Sequence, residues 1–502
     1  MGARNVAPGI AKTDAGKELA LQRNRAQDYA VSHMQTAQSP YRDLKAIRVL
    51  IWIYFFLLIF EGALRKWILP GLSDPLLLVR DPFVLAIYFL ALGQRAFPFN
   101  GITAALAAIG SVGLFAGMTL GSQNLVVTCF GFDALFFHLP LIFIIPKALN
   151  RGHVINIGRW VLILALPMAA LMAVQFRSSP DALVNCGVSG SIGQQIRGAM
   201  GKIRPPGFFA FITGAAQFLA CATVFLIYGF WRKKTYHRLL LFAAGLSIVV
   251  SAAVSTSRLT LGAIGTVFVM IGVILLYDRR GISNALGILI PIGLILVVAT
   301  NLDVFHEGRE VFDARFEEAG DKGIGVVQTA SNWTARAFGD FYGGFLAMEK
   351  APILGAGLGV GTNVGARVLS GQYGFLLAEG EWARVILELG PVLGMAYLAI
   401  RVILCIMIFR TAVAAARVGN PLPMLLFGSC AMLLTIGQFS QSATLGFAVL
   451  GSGLCLAAAN LEEGAATSRD GAARTRALPR KPRGRSRYAE MLHNAKPENP
   501  ES

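Results

Sequence analysis

Long apolar runs, each followed by a short polar connection, recur through most of the chain. Because about 20 helical residues cross the roughly 30 Å hydrocarbon core of a bilayer, each run has the length of a transmembrane helix. We therefore predict an all-α polytopic membrane protein with about 12 transmembrane helices. The predicted spans are 47–64, 76–93, 101–121, 125–146, 158–176, 208–230, 239–256, 259–277, 282–300, 384–409, 421–438 and 443–459.

Polar segments mark the remaining organisation of the chain. Residues 1–46 are a predicted disordered cytoplasmic tail without the apolar run of a cleaved signal peptide, so the first span would direct insertion. Spans 1–9 occupy 47–300, and spans 10–12 occupy 384–459. One large outer loop, 301–383, is predicted between spans 9 and 10, and 460–502 is a basic cytoplasmic tail.

The composition excludes a water-soluble protein. Hydrophobic residues make up 55% of the chain and charged residues 15%, against roughly 25% charged residues in soluble domains. The net charge of +17 would suit a nucleic-acid partner. The basic residues, however, concentrate in the tails and in alternate short loops, where the positive-inside rule accounts for them. We predict no nucleic-acid partner, cytoplasmic termini, and contact between the basic tail and anionic membrane lipid.

Several cationic residues lie on the side that the positive-inside rule should keep poor in them. Arg65 and Lys66 follow the first span, Arg204 lies in the outer loop before the sixth, and Arg258 begins the eighth. One interpretation is that these side chains snorkel to the interface or pair with acidic neighbours such as Glu61. The other is that they bind an anion, since guanidinium groups match phosphate oxygens bidentately.

The outer loop contains a predicted amphipathic helix within 335–350. Phe338, Phe341, Tyr342 and Phe345 are spaced at i, i+3, i+4 and i+7, which gives the helix one aromatic face. This face suits either the membrane interface or packing on the rest of the loop.

Alternating glycines follow the predicted helix, at Gly355, Gly357 and Gly359. Glycine permits positive φ and close approach of the backbone to a ligand. The spacing is equally typical of a flexible loop and of a loop that lines a ligand site.

Ionisable residues near the predicted membrane boundaries are candidates for acid–base chemistry. Glu381, Arg384 and Glu388 share one helix face at i, i+3 and i+7, which indicates either a site or a solvated helix start. Asp133 and His138 lie within the fourth span, but an i, i+5 spacing does not place them on one α-helical face, so we interpret them as structural. No outer carboxylate cluster is typical of a metal site, and no cofactor is predicted.

Several short motifs together resemble the O-antigen ligase and O-antigen polymerase superfamily. They are Arg204-x-x-Gly207-Phe208 before a middle span, the pair Ser257-Arg258 at the start of a later one, and Pro-x-x-Gly-x-Gly-x-Gly from Pro352 to Gly359. About 12 spans with a large late outer loop complete the pattern. The segment 61–67 followed by Arg80-Asp81 resembles a branch associated with exopolysaccharide polymerisation.

The resemblance implies a metal-independent, inverting glycosyltransferase of the bacterial inner membrane. Such a protein moves a glycan from undecaprenyl diphosphate to an acceptor sugar at the periplasmic face. Arg204 and Arg258 would contact the donor diphosphate, with Arg65, Lys66 and Arg384 as further candidates. The implied partners are the lipid-linked glycan, membrane lipid, and a chain-length regulator or export proteins.

The resemblance leaves the general base open. Ligases of this superfamily carry a histidine–asparagine pair after the glycine run, whereas this chain has Ala-Glu-Gly-Glu at 378–381. Glu381 is our first candidate for the base, followed by Glu388 and His306, and the loop with Gly355, Gly357 and Gly359 would admit the glycan. The alternatives to a polymerase are a ligase-type transferase and a transporter or flippase of lipid-linked glycans.

Overall fold

The computed structural model of the protein describes residues 44–191, 195–196, 198–278, 281–318, 326–371 and 374–460. The side chains of 315–318 and 326–337 are not described. Most of both predicted tails lies outside these ranges, as does Arg197, a further cation of the predicted outer loop that contains Arg204.

The described residues form helices and connections, without strands. The helices are α1 (Lys45–Ala63), α2 (Asp81–Gly93), α3 (Gly101–Thr119), α4 (Leu125–Phe132), α5 (Leu141–Ala148), α6 (Arg151–Arg177), α7 (Ile212–Trp231), α8 (Arg238–Val254), α9 (Arg258–Tyr277), α10 (Ile282–Ala299), α11 (Asp303–Glu318), α12 (Val326–Lys350), α13 (Asn363–Ser370), α14 (Glu381–Leu389), α15 (Pro391–Arg417), α16 (Leu422–Ile436) and α17 (Ser442–Ala459).

The chain is a polytopic membrane protein, as its apolar pattern predicted. In the described ranges, nine helical stretches are long and apolar enough to cross a membrane, or ten if the bent pair Leu125–Phe137 and Leu141–Ala148 forms one span. Two further apolar helices, α8 and α16, are shorter. The predicted total of about 12 needs these two helices as spans.

Polar side chains fix where several helices begin. Asn100 accepts a hydrogen bond from the backbone of Thr103, and Asn150 does the same for His153; in both cases the third residue bonds back to the cap. Such reciprocal caps satisfy N–H groups that have no partner inside the helix. The short polar sequences between apolar runs therefore end one helix and start the next.

Burial separates a central layer from a peripheral one. Helix α7 is almost wholly buried and packs against α6, α8, α9 and α17. Helices α9 and α10 keep large apolar side chains exposed, among them Leu276 and Ile290. An exposed apolar surface of this kind suits contact with lipid.

The connections gather at two ends of the bundle. At one end, which we call the basic end, Lys147 bonds the carbonyl of Ala96 and Arg232 bonds that of Gly419. At the other, which we call the loop end, Arg177 pairs with Glu307 and Trp382 bonds the carbonyl of Thr435. The described parts of the long connections 178–211 and 301–380 both lie at the loop end.

The described parts of the predicted outer loop, 301–383, lie on the bundle at the loop end. Helix α11 packs on α8, where Gly308 meets the backbone of Ala253, and α12 packs on α14. Helix α12 begins at Val326, earlier than the predicted 335. Of its aromatic face, Phe341 packs edge-on against Trp382 at 4.4 Å between ring centres, while the other three rings, Phe338, Tyr342 and Phe345, are exposed.

Candidate functional site

A cavity of about 930 Å³ opens at the loop end. It lies between the end of α1, the start of α2, the helices α4 and α13, and the starts of α7 and α17. Its walls are largely apolar, with Phe130, Phe209 and Phe211 among them. Its charged lining residues are Glu61, Arg65, Asp74, Asp81, Asp133 and Arg367.

Glu61 and Arg65 belong to a buried polar network beside the cavity. Arg65 donates from Nε to the carbonyl of Ser73 at 2.9 Å, and its Nη1 lies 3.3 Å from Glu61 Oε1. Arg80 donates to the Ser442 hydroxyl at 2.7 Å, and that hydroxyl donates to Glu61. Arg65 therefore pairs with Glu61, as the first of the two interpretations proposed.

A π-helical turn, Asp133–Phe137, brings Asp133 and His138 together. Residues five apart lie on different faces of an α-helix, but a π-helix forms i to i+5 hydrogen bonds and brings such residues together. The i, i+5 spacing of Asp133 and His138 therefore fits the π-helical turn. His138 Nε2 lies 3.1 Å from Asp81 Oδ1 and 3.3 Å from Asp133 Oδ1. The sequence analysis interpreted Asp133 and His138 as structural and did not predict this cluster, which also includes Tyr54 at His138 Nδ1.

The ligand atoms of Asp81, Asp133 and His138 all lie within 4.8 Å of one another, a spacing that a metal ion would accept. The sequence predicted no such cluster. Metal-bound histidines normally donate the N–H of their other ring nitrogen to an acceptor. Here that nitrogen, Nδ1, faces the Tyr54 hydroxyl, which itself accepts from Arg80 at 3.1 Å. This arrangement favours a proton on Nε2, and we assign no metal ligand.

Lys66 does not line the cavity. Its ammonium group is buried, donates to the carbonyl of Gly207 at 2.8 Å, and lies 4.2 Å from the centre of the Trp67 ring. It therefore joins the end of the first span to the Arg204-x-x-Gly207 segment. This contact accounts for the lysine without an anionic ligand.

The loop before α7 brings the side chain of Arg204 near Thr256, which shortly precedes Arg258 in the chain. A side chain at Gly198 would lie 3.2 Å from Thr256 Oγ1 and 4.0 Å from Arg204 Cγ. Thr256 stands two residues before Arg258, at the start of α9. Neither arginine is among the residues that line the 930 Å³ cavity.

An apolar groove of about 410 Å³ lies beside this region. It is formed by α7 to α11, and Leu261, Ala253, Phe305 and Arg309 are among the residues that line it. Leu261 stands one helical turn after Arg258, so the groove and the start of α9 adjoin.

Glu381, Arg384 and Glu388 share one helix face, as predicted, but that face is fully buried. Arg384 lies 2.8 Å from Glu381 and 3.0 Å from Glu388. Arg401, which the sequence analysis did not single out, lies 2.7 Å from the other Glu381 oxygen and also donates to three backbone carbonyls. A lone arginine in the middle of an apolar run was the signal that could have found it.

This environment does not favour Glu381 as a general base. Burial would raise the pKa of Glu381, but the guanidinium groups of Arg384 and Arg401 outweigh it and lower the pKa below its ordinary value. Both carboxylate oxygens already accept hydrogen bonds. Glu388 is equally enclosed, since it accepts from the Gly361 backbone and from Arg384. The guanidinium group of Arg384 pairs with both Glu381 and Glu388, so the structure does not favour it as a diphosphate ligand.

The glycine run packs backbone against backbone inside the bundle. Gly355, Gly357 and Gly359 all have positive φ. A Cβ at Gly359 would lie 2.0 Å from the Val127 carbonyl oxygen, and one at Gly355 would lie 2.2 Å from that of Glu388. None of the three lines the 930 Å³ cavity. Close packing, rather than ligand access, is what requires glycine at these positions.

His306, the third candidate for the base, is exposed on α11. Its Nε2 lies 2.7 Å from the carbonyl oxygen of Thr300. It lines neither the cavity nor the apolar groove described above.

The chain was compared with protein families, curated proteins and solved structures. No match was found in any of the three. The resemblance to the O-antigen ligase and polymerase superfamily thus depends on the short motifs quoted above.

Asp340 should make stability depend on pH. Burial, with the nearby Glu381 carboxylate adding to it, raises the pKa of Asp340 from 3.8 to about 6. The folded state therefore favours the protonated form. The protonated Asp340 contributes its full stabilisation below the pKa that this group has in the unfolded chain. That contribution is lost as the pH rises through about 6. Asp340→Asn, which stays neutral, should flatten this fall in melting temperature between pH 4 and 7, measured in detergent.

The control for Asp340 is Asp181→Asn, which removes an exposed carboxylate at the loop end. Its melting temperature should follow the wild-type pH curve. A wild-type curve that runs parallel to that of Asp340→Asn would contradict the raised pKa.

Proposed function

We propose that the protein is a membrane glycosyltransferase that joins oligosaccharide repeat units carried on undecaprenyl diphosphate, as in exopolysaccharide or O-antigen synthesis. The observation that carries the proposal is the 930 Å³ cavity, which has charged groups within largely apolar walls. A few convergent polar groups in an apolar cavity are typical of a site for an organic substrate. A glycan has hydroxyl groups that can bond to the charged side chains and sugar-ring faces that can pack on the apolar walls.

The region of Arg204 and Arg258 suits the donor lipid. The adjoining apolar groove would take part of the prenyl chain along Leu261 and Phe305. The two guanidinium groups would then face the diphosphate, whose oxygens they fit bidentately. Because the short motifs that carry the resemblance contain Arg204 and Arg258, we restrict the diphosphate role to these two and leave Arg65 at the cavity wall. Lys66 and Arg384 do not line the cavity.

The loop 198–211 would connect the two parts of the site. It begins next to Thr256 and Arg204 and ends at Phe209 and Phe211 in the cavity wall. A donor held at the arginines would thereby present its first sugar towards the cavity. Fixed arginines stabilise the charge that develops on a leaving diphosphate, so the transfer would need no metal ion.

The membrane placement is part of the proposal. Counting α8, α16 and the bent pair as spans raises the nine long helical stretches to 12. An even number puts both termini on one side, and the positive-inside rule makes that the cytoplasmic side of the bacterial inner membrane. The loop end would then face the periplasm, where a chain-length regulator or export proteins would meet the product.

A detergent assay tests the proposed function. The purified protein should join repeat units from an undecaprenyl diphosphate donor without a sealed membrane. A flippase or transporter would form no new linkage under these conditions. A ladder of products of increasing length indicates a polymerase, whereas a single transfer to a different acceptor indicates a ligase.

Replacing either donor-site arginine should abolish polymer formation. Arg204→Ala and Arg258→Ala each remove a guanidinium group from the proposed diphosphate site, while the protein level in the membrane should stay normal. Polymer can be measured by gel electrophoresis of cell extracts. Lys233→Ala removes an exposed cation at the basic end and should leave the polymer unchanged. Undiminished polymer from Arg258→Ala would remove this residue from the mechanism.

A further inference from the structure

The charged lining of the 930 Å³ cavity contains four carboxylates, and three of them accept hydrogen bonds. Glu61 pairs with Arg65 and accepts from Ser442. Asp74 pairs with Arg367, and Asp81 accepts from His138. The fourth, Asp133, has a buried Oδ1 without a hydrogen-bond partner among the described residues. Its side chain is 19% exposed and lines the cavity.

Hydrogen bonds fix the imidazole of His138 between these carboxylates and a buried tyrosine. Arg80 can only donate, so the Tyr54 oxygen accepts from it at 3.1 Å. The Tyr54 hydroxyl proton is then free to bond His138 Nδ1, which lies 3.2 Å away. Nε2 faces the carboxylates and donates its proton to Asp81 Oδ1 at 3.1 Å.

These contacts restrict the movement of the His138 imidazole. Tyr54, Arg80 and His138 are each at most 2% exposed, so none is free to exchange partners with solvent. The π-helical turn aims Asp133 at the same imidazole, and such turns are frequent at functional sites. Only Asp81 and Asp133 of this group reach the cavity.

We infer that Asp133 is the general base of the cavity, positioned by a relay of Asp81, His138 and Tyr54. The inference rests on the proposed function, and its substrate is the acceptor sugar hydroxyl. Asp133 takes the hydroxyl proton while the sugar oxygen bonds to the anomeric carbon. The bond from that carbon to the donor phosphate oxygen breaks, and its electron pair leaves with the diphosphate. The proton then passes from Asp133 to water.

The relay explains why a carboxylate without a donor of its own stays in place. Nε2 lies 3.3 Å from Asp133 Oδ1, so the imidazole limits movement of the carboxylate while Asp81 takes the hydrogen bond. Because Oδ1 is buried beside the imidazole, the other oxygen, Oδ2, would take the substrate proton. His138 and Tyr54 act through Asp133 and are positioning residues.

The test is the turnover of purified variants with the lipid-linked donor in detergent. Asp133→Asn should lower kcat by about 10²–10⁴-fold with little change in KM, because it removes proton transfer and keeps the shape. Asp133→Glu should restore part of the activity. Tyr54→Phe should lower kcat by a smaller factor, again with little change in KM. Asp181→Asn, which removes an exposed carboxylate outside the cavity, is the control.

Each outcome is decisive. If the wild-type protein forms no linkage, the proposed function fails and the inference fails with it. If the wild type is active and Asp133→Asn turns over equally well, the inference alone is overturned. Should Asp133→Asn not fold, Asp133→Ser gives the same expectation with a smaller side chain. Stoichiometric Mn²⁺ binding that is lost in Asp133→Asn would mean that Nε2 carries no proton, and it would also overturn the relay.

Discussion

Arg401→Met is expected to lower the free energy of unfolding by about 3–5 kcal/mol, the usual cost of breaking a buried ion pair. The guanidinium group is fully buried, lies 2.7 Å from Glu381, and donates to the carbonyls of Leu433, Leu434 and Gly437. Methionine fills part of the space but satisfies none of these acceptors. Unfolding can be followed by titration with sodium dodecyl sulfate in mixed micelles.

Arg410→Met is the matched control, because Arg410 lies on the same helix and is exposed. It should change the free energy of unfolding by less than about 0.5 kcal/mol, as surface substitutions usually do. Equal losses in the two variants would mean that the buried network contributes nothing specific. The comparison is independent of any assignment of function.

Gly359→Ala is expected to prevent normal folding. The residue has φ of +82°, and the added Cβ would lie 2.0 Å from the carbonyl oxygen of Val127. Backbone strain alone costs on the order of 1–3 kcal/mol, and overpacking against a rigid helix typically adds another 1–3 kcal/mol. The yield of monodisperse protein after purification should fall sharply.

Gly265→Ala provides the comparison for this variant. Gly265 lies within α9, and a Cβ there would meet nothing within 4 Å. Because alanine favours helices over glycine by about 1 kcal/mol, this variant should be unchanged or slightly stabilised. Normal yield from Gly359→Ala would contradict the close packing of the glycine run.

Local patterns predicted most helices, but the fourth predicted span is bent between Phe137 and Leu141, and the tenth, 384–409, is divided at Gly390 into α14 and α15. They also predicted the shared face of Glu381, Arg384 and Glu388, because that face depends only on helical spacing. They could not predict its surroundings. Whether Glu381 contacts solvent or Arg401 depends on how α14 packs against α15. The spacing of residues along one helix carries no information about that packing.

The candidate site depends on contacts between distant segments, and here the sequence was least informative. Glu61 meets Ser442 across 381 positions of the chain. The alternating glycines give the same spacing for a ligand loop and for close backbone packing, and only the neighbouring helices distinguish the two. For Asp133 and His138 the error was the assumed period, because a π-helical turn replaces the α-helical one.

The π-helical turn also makes the fourth span tolerant of a change in length. A π-helical turn holds one residue more than the α-helical turn it replaces. Deleting one residue between Asp133 and His138 would convert their spacing to i, i+4, which an α-helix already places on one face. The helix would become more regular, and the two side chains would stay in register. A lineage could thus shorten this turn by one codon and keep the pair.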